Sequence, residues 1–74
     1  MNIKELRNEG KAIMLIKAAR KASELKSRNF FTLAELDEHT DYSARYLKDC
    51  YLKTDHKELN VFKSYGVWLI ELVD

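Results

Sequence analysis

Apolar residues return every three or four positions through the first third of this chain, at Ile3, Leu6, Ile13, Met14, Ala18, Ala22 and Leu25. That spacing is the stripe of an amphipathic helix, and Ile16 and Ala19 widen it. Gly10 falls in the one gap, and a glycine costs about 1 kcal/mol in a helix interior. The pattern predicts a long helix from about Gly10 to Lys26, with a weaker helical lead-in from Ile3.

The rest of the chain must share a small core with that helix. The 74 residues allow a single domain, residues 1–74, which buries only roughly 60–65% of its unfolded surface. An enzyme pocket needs more wall than that. No nucleophile, base and pocket come together in the sequence, so it reads as a binding protein without a cofactor. The single cysteine, Cys50, cannot form an internal disulfide. The apolar runs Ala12–Ile16 and Val67–Ile70 are too short to span a bilayer. There is no signal-peptide pattern, so a reducing, cytoplasmic setting without a membrane is expected.

Ser27-Arg28-Asn29 ends the first helix. Thr32 and Glu35 then have capping-box spacing, with Phe31 and Leu36 placed to act as a hydrophobic staple. They predict a short helix over about Leu33 to His39. Thr40-Asp41-Tyr42 reads as a tight turn, and Ser43 as the N-cap of a helix from Ala44 to about Lys53. Its inward face would be Leu47, Cys50 and Tyr51, with Tyr46 a further candidate. Leu59–Asp74 is rich in β-branched and aromatic residues. It predicts a β-hairpin: a strand near Leu59–Phe62, a turn using Gly66, and a strand near Val67–Val73. A fourth helix is the rival, because Phe62, Tyr65, Leu69 and Leu72 also fit helical spacing.

Charge is unevenly spread. Residues 1–28 carry eight basic groups against three acids, a balance of +5, while residues 29–74 carry five against nine, a balance of −4. A basic first half is a candidate electrostatic footprint for nucleic acid, although a solvated helix face carries the same residues.

Two short helices joined by a tight turn between Thr32 and Lys53 have helix-turn-helix spacing. Leu33, Leu36, Tyr42, Leu47 and Cys50 are placed to form the crossing, leaving Ala44, Arg45, Lys48, Asp49 and Leu52 outward. The stretch Phe31-Thr-Leu-Ala-Glu-Leu, followed by Asp41-Tyr-Ser-Ala-Arg-Tyr-Leu-Lys, resembles the helix-turn-helix of small winged-helix DNA-binding domains. The resemblance implies a mainly α fold of three helices plus a C-terminal wing, and a small transcriptional regulator of the kind that phages, plasmids and microbes use. It implies that Ser43, Ala44, Arg45, Lys48 and Asp49 face bases or phosphates of double-stranded DNA. The wing tip Lys63-Ser64-Tyr65 would touch backbone or minor groove, and Lys17, Arg20 and Lys21 would add phosphate contacts. A homodimer, through the first helix or the last strand edge, would raise affinity. Two positions depart from the family pattern: Asp37 stands where a small residue is usual, and Asp41 where glycine is. With Glu38 they form an acidic cluster, which weakens binding to phosphate. The second reading is therefore a protein-interaction module, an inhibitor or adaptor of a partner protein.

Other constellations carry less. His39, His56 and Cys50 match no zinc spacing. Cys50 reads as a small hydrophobe, and most of the aromatics read as packing, with Tyr46 and Tyr65 the candidates for partner contact.

Overall fold

The computed structural model describes residues 2–73. Asn2 opens helix α1 (Ile3–Lys26) with a reciprocal box: its side chain accepts the Glu5 N–H at 2.9 Å, and the Glu5 carboxylate accepts the Asn2 N–H at 3.3 Å. The helix therefore begins at Ile3 and runs on through Gly10, the position at which the sequence pattern would start it. It ends at Ser27, which turns left-handed (φ 54°) and donates its N–H to the Ser23 carbonyl at 2.9 Å. At about 1.5 Å per residue, α1 is about 36 Å long, which matches the longest dimension of the molecule, 36 Å.

The chain then forms strand β1 (Phe30–Thr32), helix α2 (Leu33–Asp37), helix α3 (Ala44–Tyr51) and a hairpin of β2 (Leu59–Ser64) and β3 (Val67–Leu72). Residues 59–72 are thus strand and not helix. The hairpin turns on two residues, Tyr65 (φ 50°) and Gly66 (φ 79°). Successive left-handed residues are the pattern of a type I′ turn, whose twist matches that of the strands.

Strand β1 was not legible in the sequence, and it changes the fold class. It pairs antiparallel with β3, as β2 does, to give a three-stranded sheet in the order β1-β3-β2. The domain is therefore mixed α/β, three helices against a small antiparallel sheet, and not a mainly helical body with a lone hairpin. Phe30 and Phe31 alternate exposed and buried, as strand residues do, but a run of three is too short to signal its own pairing.

The core lies between α1, α3 and the inner face of the sheet. Helix α1 contributes small side chains, Ala12, Ala19 and Ala22, together with Leu15 and Ile16. Phe31 and Leu36, the expected staple, are both fully buried, and Leu47 and Ile70 complete the set of large buried groups. Phe31, Ile70 and Val61 form one row across the sheet.

Tyr51 ties α3 to the hairpin. Its hydroxyl accepts the Leu59 N–H at 2.9 Å and lies 2.9 Å from the carbonyls of both His56 and Leu59, to which its single proton can be donated. Burial pushes the phenol pKa above its usual 10.0. Replacing Tyr51 with Phe leaves the buried Leu59 N–H without an acceptor, so Tyr51→Phe is expected to lower the unfolding free energy by about 1–3 kcal/mol, measured by urea denaturation.

His56 makes a second tie. Its Nε2 lies 2.6 Å from Glu9 on α1 and its Nδ1 3.3 Å from Glu58. The hydrogen bond to Glu9 holds the imidazole pKa above its ordinary 6.5, and the charges of Glu9 and Glu58 act in the same direction. A histidine raised on folding stabilises fully below its unfolded pKa of about 6.5 and loses that contribution as pH rises through the folded value. The melting temperature is therefore expected to fall between pH 6.5 and the raised pKa, and Glu9→Gln to flatten that dependence in a pH series of thermal melts.

Candidate functional site

Ser43 caps α3 by accepting the Tyr46 N–H at 3.4 Å. Asp37, on the preceding helix, reaches across the turn and accepts the Ala44 N–H at 2.7 Å. The first turn of α3 is thus served from two sides, and a carboxylate there also meets the positive end of the helix dipole. Asp37 is accordingly part of the turn's construction, which gives the departure from a small residue a physical reason. Around the turn, Thr40 donates its hydroxyl to the Tyr42 carbonyl, and Lys11 of α1 places Nζ 3.6 Å from the Tyr42 ring centroid. Tyr42 is exposed, so it does not join the helix crossing in which the sequence pattern places it.

On α3, residues 44, 47, 48 and 51 share one face at helical spacing, and that face meets the core. Two of the residues expected to point outward are therefore inward. Ala44 is 0% exposed and Lys48 only 5%. The Lys48 stem lies on the protein and its ammonium group sits 4.1 Å from the Trp68 ring centroid and 3.0 Å from Asp49 Oδ1. Leu47, Cys50 and Tyr51 are buried as the sequence pattern predicts, while Tyr46 is exposed. The outward face of α3 is Arg45, Tyr46 and Asp49, followed by Leu52 and Lys53.

Arg45 lines a shallow groove of about 370 Å³. Thr32, Leu33 and Ala34 at the start of α2 form one wall, and Gly66, Val67 and Trp68 at the end of the hairpin form the other. Lys63 lies beside the same tryptophan, its Nζ 5.8 Å from the ring centroid, because Lys63 and Trp68 are register partners. The structure thus gathers Arg45, Lys48 and Lys63 around Trp68 in the outer part of the hairpin, next to the closing pair Ser64 and Val67, with Tyr65 fully exposed at the tip and Ser64 half-buried. Trp68 is the member the sequence reading missed. It looked like packing, and only the strand register places it between the hairpin and α3.

Lys17 and Lys21 belong elsewhere. They line a separate depression of about 390 Å³ together with Glu38, His39, Thr40 and Asp41, so two of the expected phosphate contacts face the acidic turn. Arg20 is exposed on α1. Two further cations of the basic half are occupied. Lys26 Nζ lies 3.0 Å from Glu35 Oε2, and Arg28 pairs with the same oxygen. The other Glu35 oxygen completes the α2 capping box with Thr32. Among the described residues no three His, Cys, Asp or Glu side chains come together to hold a metal ion, and no helix is long and apolar enough to cross a membrane.

No protein-family model matches the sequence, and no curated protein or solved structure matches it. Geometry alone therefore carries the functional argument. The role given to Asp37 is checked directly: Asp37→Ala is expected to lower stability by about 0.5–2 kcal/mol in chemical denaturation, the usual cost of an N-cap, although the side chain is exposed.

Proposed function

We propose that this chain is a winged helix-turn-helix domain that binds double-stranded DNA as a transcriptional regulator, with α3 as the recognition helix and the β2–β3 hairpin as the wing. The element order α1-β1-α2-α3-β2-β3 and the sheet order β1-β3-β2 support the winged-helix reading. They place a short strand between the first two helices, which pins the wing beside α3. The observation that carries the function is the groove in which Arg45, at the head of α3, meets the turn end of the wing. A guanidinium on the exposed face of such a helix suits a guanine edge in the major groove. Lys63 and the exposed Tyr65 suit the backbone flanking it.

The contact is narrow. Lys48 is held by Trp68 and Asp49, and α3's first N–H groups are taken by Ser43 and Asp37, so neither a free Lys48 nor the bare helix terminus is on offer to phosphate. Arg45 carries more of the burden, and Lys48 serves to orient the wing. A second reading, a protein-interaction module, is favoured by one observation: Tyr42, Tyr46 and Leu52 are exposed on and beside the outward face of α3, where aromatic anchors suit a protein partner.

Fluorescence anisotropy with duplex DNA at two salt concentrations separates these readings. Micromolar binding that weakens with salt is expected, with a shallow slope because few phosphates are met, and Arg45→Ala should weaken it by about 5–150-fold, the range of a lost base contact. No binding at low salt would overturn the DNA reading and leave the protein partner.

A further inference from the structure

Both ring nitrogens of His56 face carboxylates. Nε2 lies 2.6 Å from Glu9 on α1, and Nδ1 lies 3.3 Å from Glu58 Oε2. An imidazole carries a proton at both nitrogens only when it is charged; the neutral ring keeps a lone pair at one of them. The two contacts are unequal. Glu58 Oε2 is screened from water and meets no hydrogen-bond donor in good geometry, and among the described residues the imidazolium is the only cation paired with it. Glu9 takes the shorter contact, and a neutral ring can still donate Nε2–H to it. Loss of the other proton therefore sets the Nδ1 lone pair against a covered carboxylate oxygen and strands that charge without a partner. The other titratable groups around the ring do not replace it. Tyr51 of α3 stacks on it, with ring centroids 6.3 Å apart, and Glu5, Lys53 and Asp55 share a neighbouring depression with Glu9.

The connector from α3 to the hairpin hangs on this ring. At one end Thr54 is fixed to α3, its N–H and its hydroxyl both donating to the Tyr51 carbonyl, at 3.0 and 2.7 Å. At the other end Leu59 donates its N–H to the Tyr51 hydroxyl at 2.9 Å, and Val73 donates to the Glu58 carbonyl at 2.9 Å. Residues 55–58, between these points, belong to no helix or strand. Within them the His56 N–H reaches the Thr54 hydroxyl only at 3.4 Å, and the His56 carbonyl competes with that of Leu59 for the one Tyr51 proton. The His56 ring is what pairs this segment with α1. We propose that His56 is a proton-operated latch: charged, it clamps the connector between α1 and the start of the hairpin; neutral, it drops Glu58, and residues 55–58 loosen while the helices and sheet stay folded. Glu58 then turns its covered oxygen to water, which a side chain already 42% exposed reaches by rotation. The loss of stability with rising pH is thereby placed in one segment, the link between α3 and the hairpin. This inference does not rest on DNA binding and is read in its absence.

Backbone ¹⁵N relaxation of the full chain from about pH 6 to about pH 9, with the His56 ring followed by its own chemical shift, tests the latch. The midpoint is expected above 6.5, because the hydrogen bond to Glu9 holds the ring charged. Through it, order parameters of residues 55–58 should fall from about 0.85 to below about 0.6, while those of residues 12–22 in α1 stay near about 0.85. Glu58→Gln removes the stranded charge and offers the neutral ring an amide donor, so its connector should stay ordered across the range. His56→Ala should be loose already at the acid end. Order parameters that stay flat through the His56 titration, or a core that loosens together with the connector, overturn the proposal. So does a Glu58→Gln connector that loosens as wild type does, or an ordered connector in His56→Ala.

Discussion

Three residues of strand hold this molecule together. Without β1, the C-terminal hairpin would be a two-stranded ribbon, which is marginal in water. By pairing Phe31 with Ile70, β1 makes β3 a central strand and ties the end of the chain to the segment just after α1. The same pairing puts Phe31 in the core immediately before Thr32, so the residue that anchors the sheet also sets the start of α2. The position of the hairpin beside α3 comes from that junction. Tyr51 reinforces it from the other side, joining the end of α3 to the first residue of β2.

Much of this was legible in the residues. The Thr32–Glu35 capping box, the Ser43 cap and the hairpin around Gly66 each depend on local chemistry, and each is where the sequence pattern puts it. The first helix begins at Ile3 and not near Gly10 because the Asn2–Glu5 capping box secures its first turn, a local signal that outweighs the cost of one glycine. Strand β1 was hidden because its pairing partner lies some forty positions away in the sequence (Phe31 with Ile70) and its own three residues show no usable period. On α3, the inward turn of Ala44 and Lys48 was available from helical spacing alone. A lysine's charge favours the outward position, but the Lys48 stem packs inward and its ammonium group ends on Trp68. The candidate site was less legible still, since the groove beside Arg45 is made by segments from three parts of the chain.

Charge counts overstate what a partner would meet. The basic first half loses Lys26 and Arg28 to Glu35, and Lys11 to the Tyr42 ring. The acidic cluster shrinks in the same way, because Asp37 is committed to the head of α3. What remains at the surface is patchy and close to balanced. Such a surface gives modest long-range steering, so a partner would be chosen by fit at short range.

The tight turn at Tyr65 and Gly66 has a consequence for how the hairpin can change length. Side chains alternate between the two faces of a strand, so adding one residue to each arm below Trp68 lengthens the ribbon by one rung and also turns Trp68 and its neighbours at the turn end to the opposite face. Adding two to each arm restores the facing. The reach of the hairpin can therefore grow only in steps of two rungs if the tip is to keep its outlook, and the core around Ile70 would not register the difference.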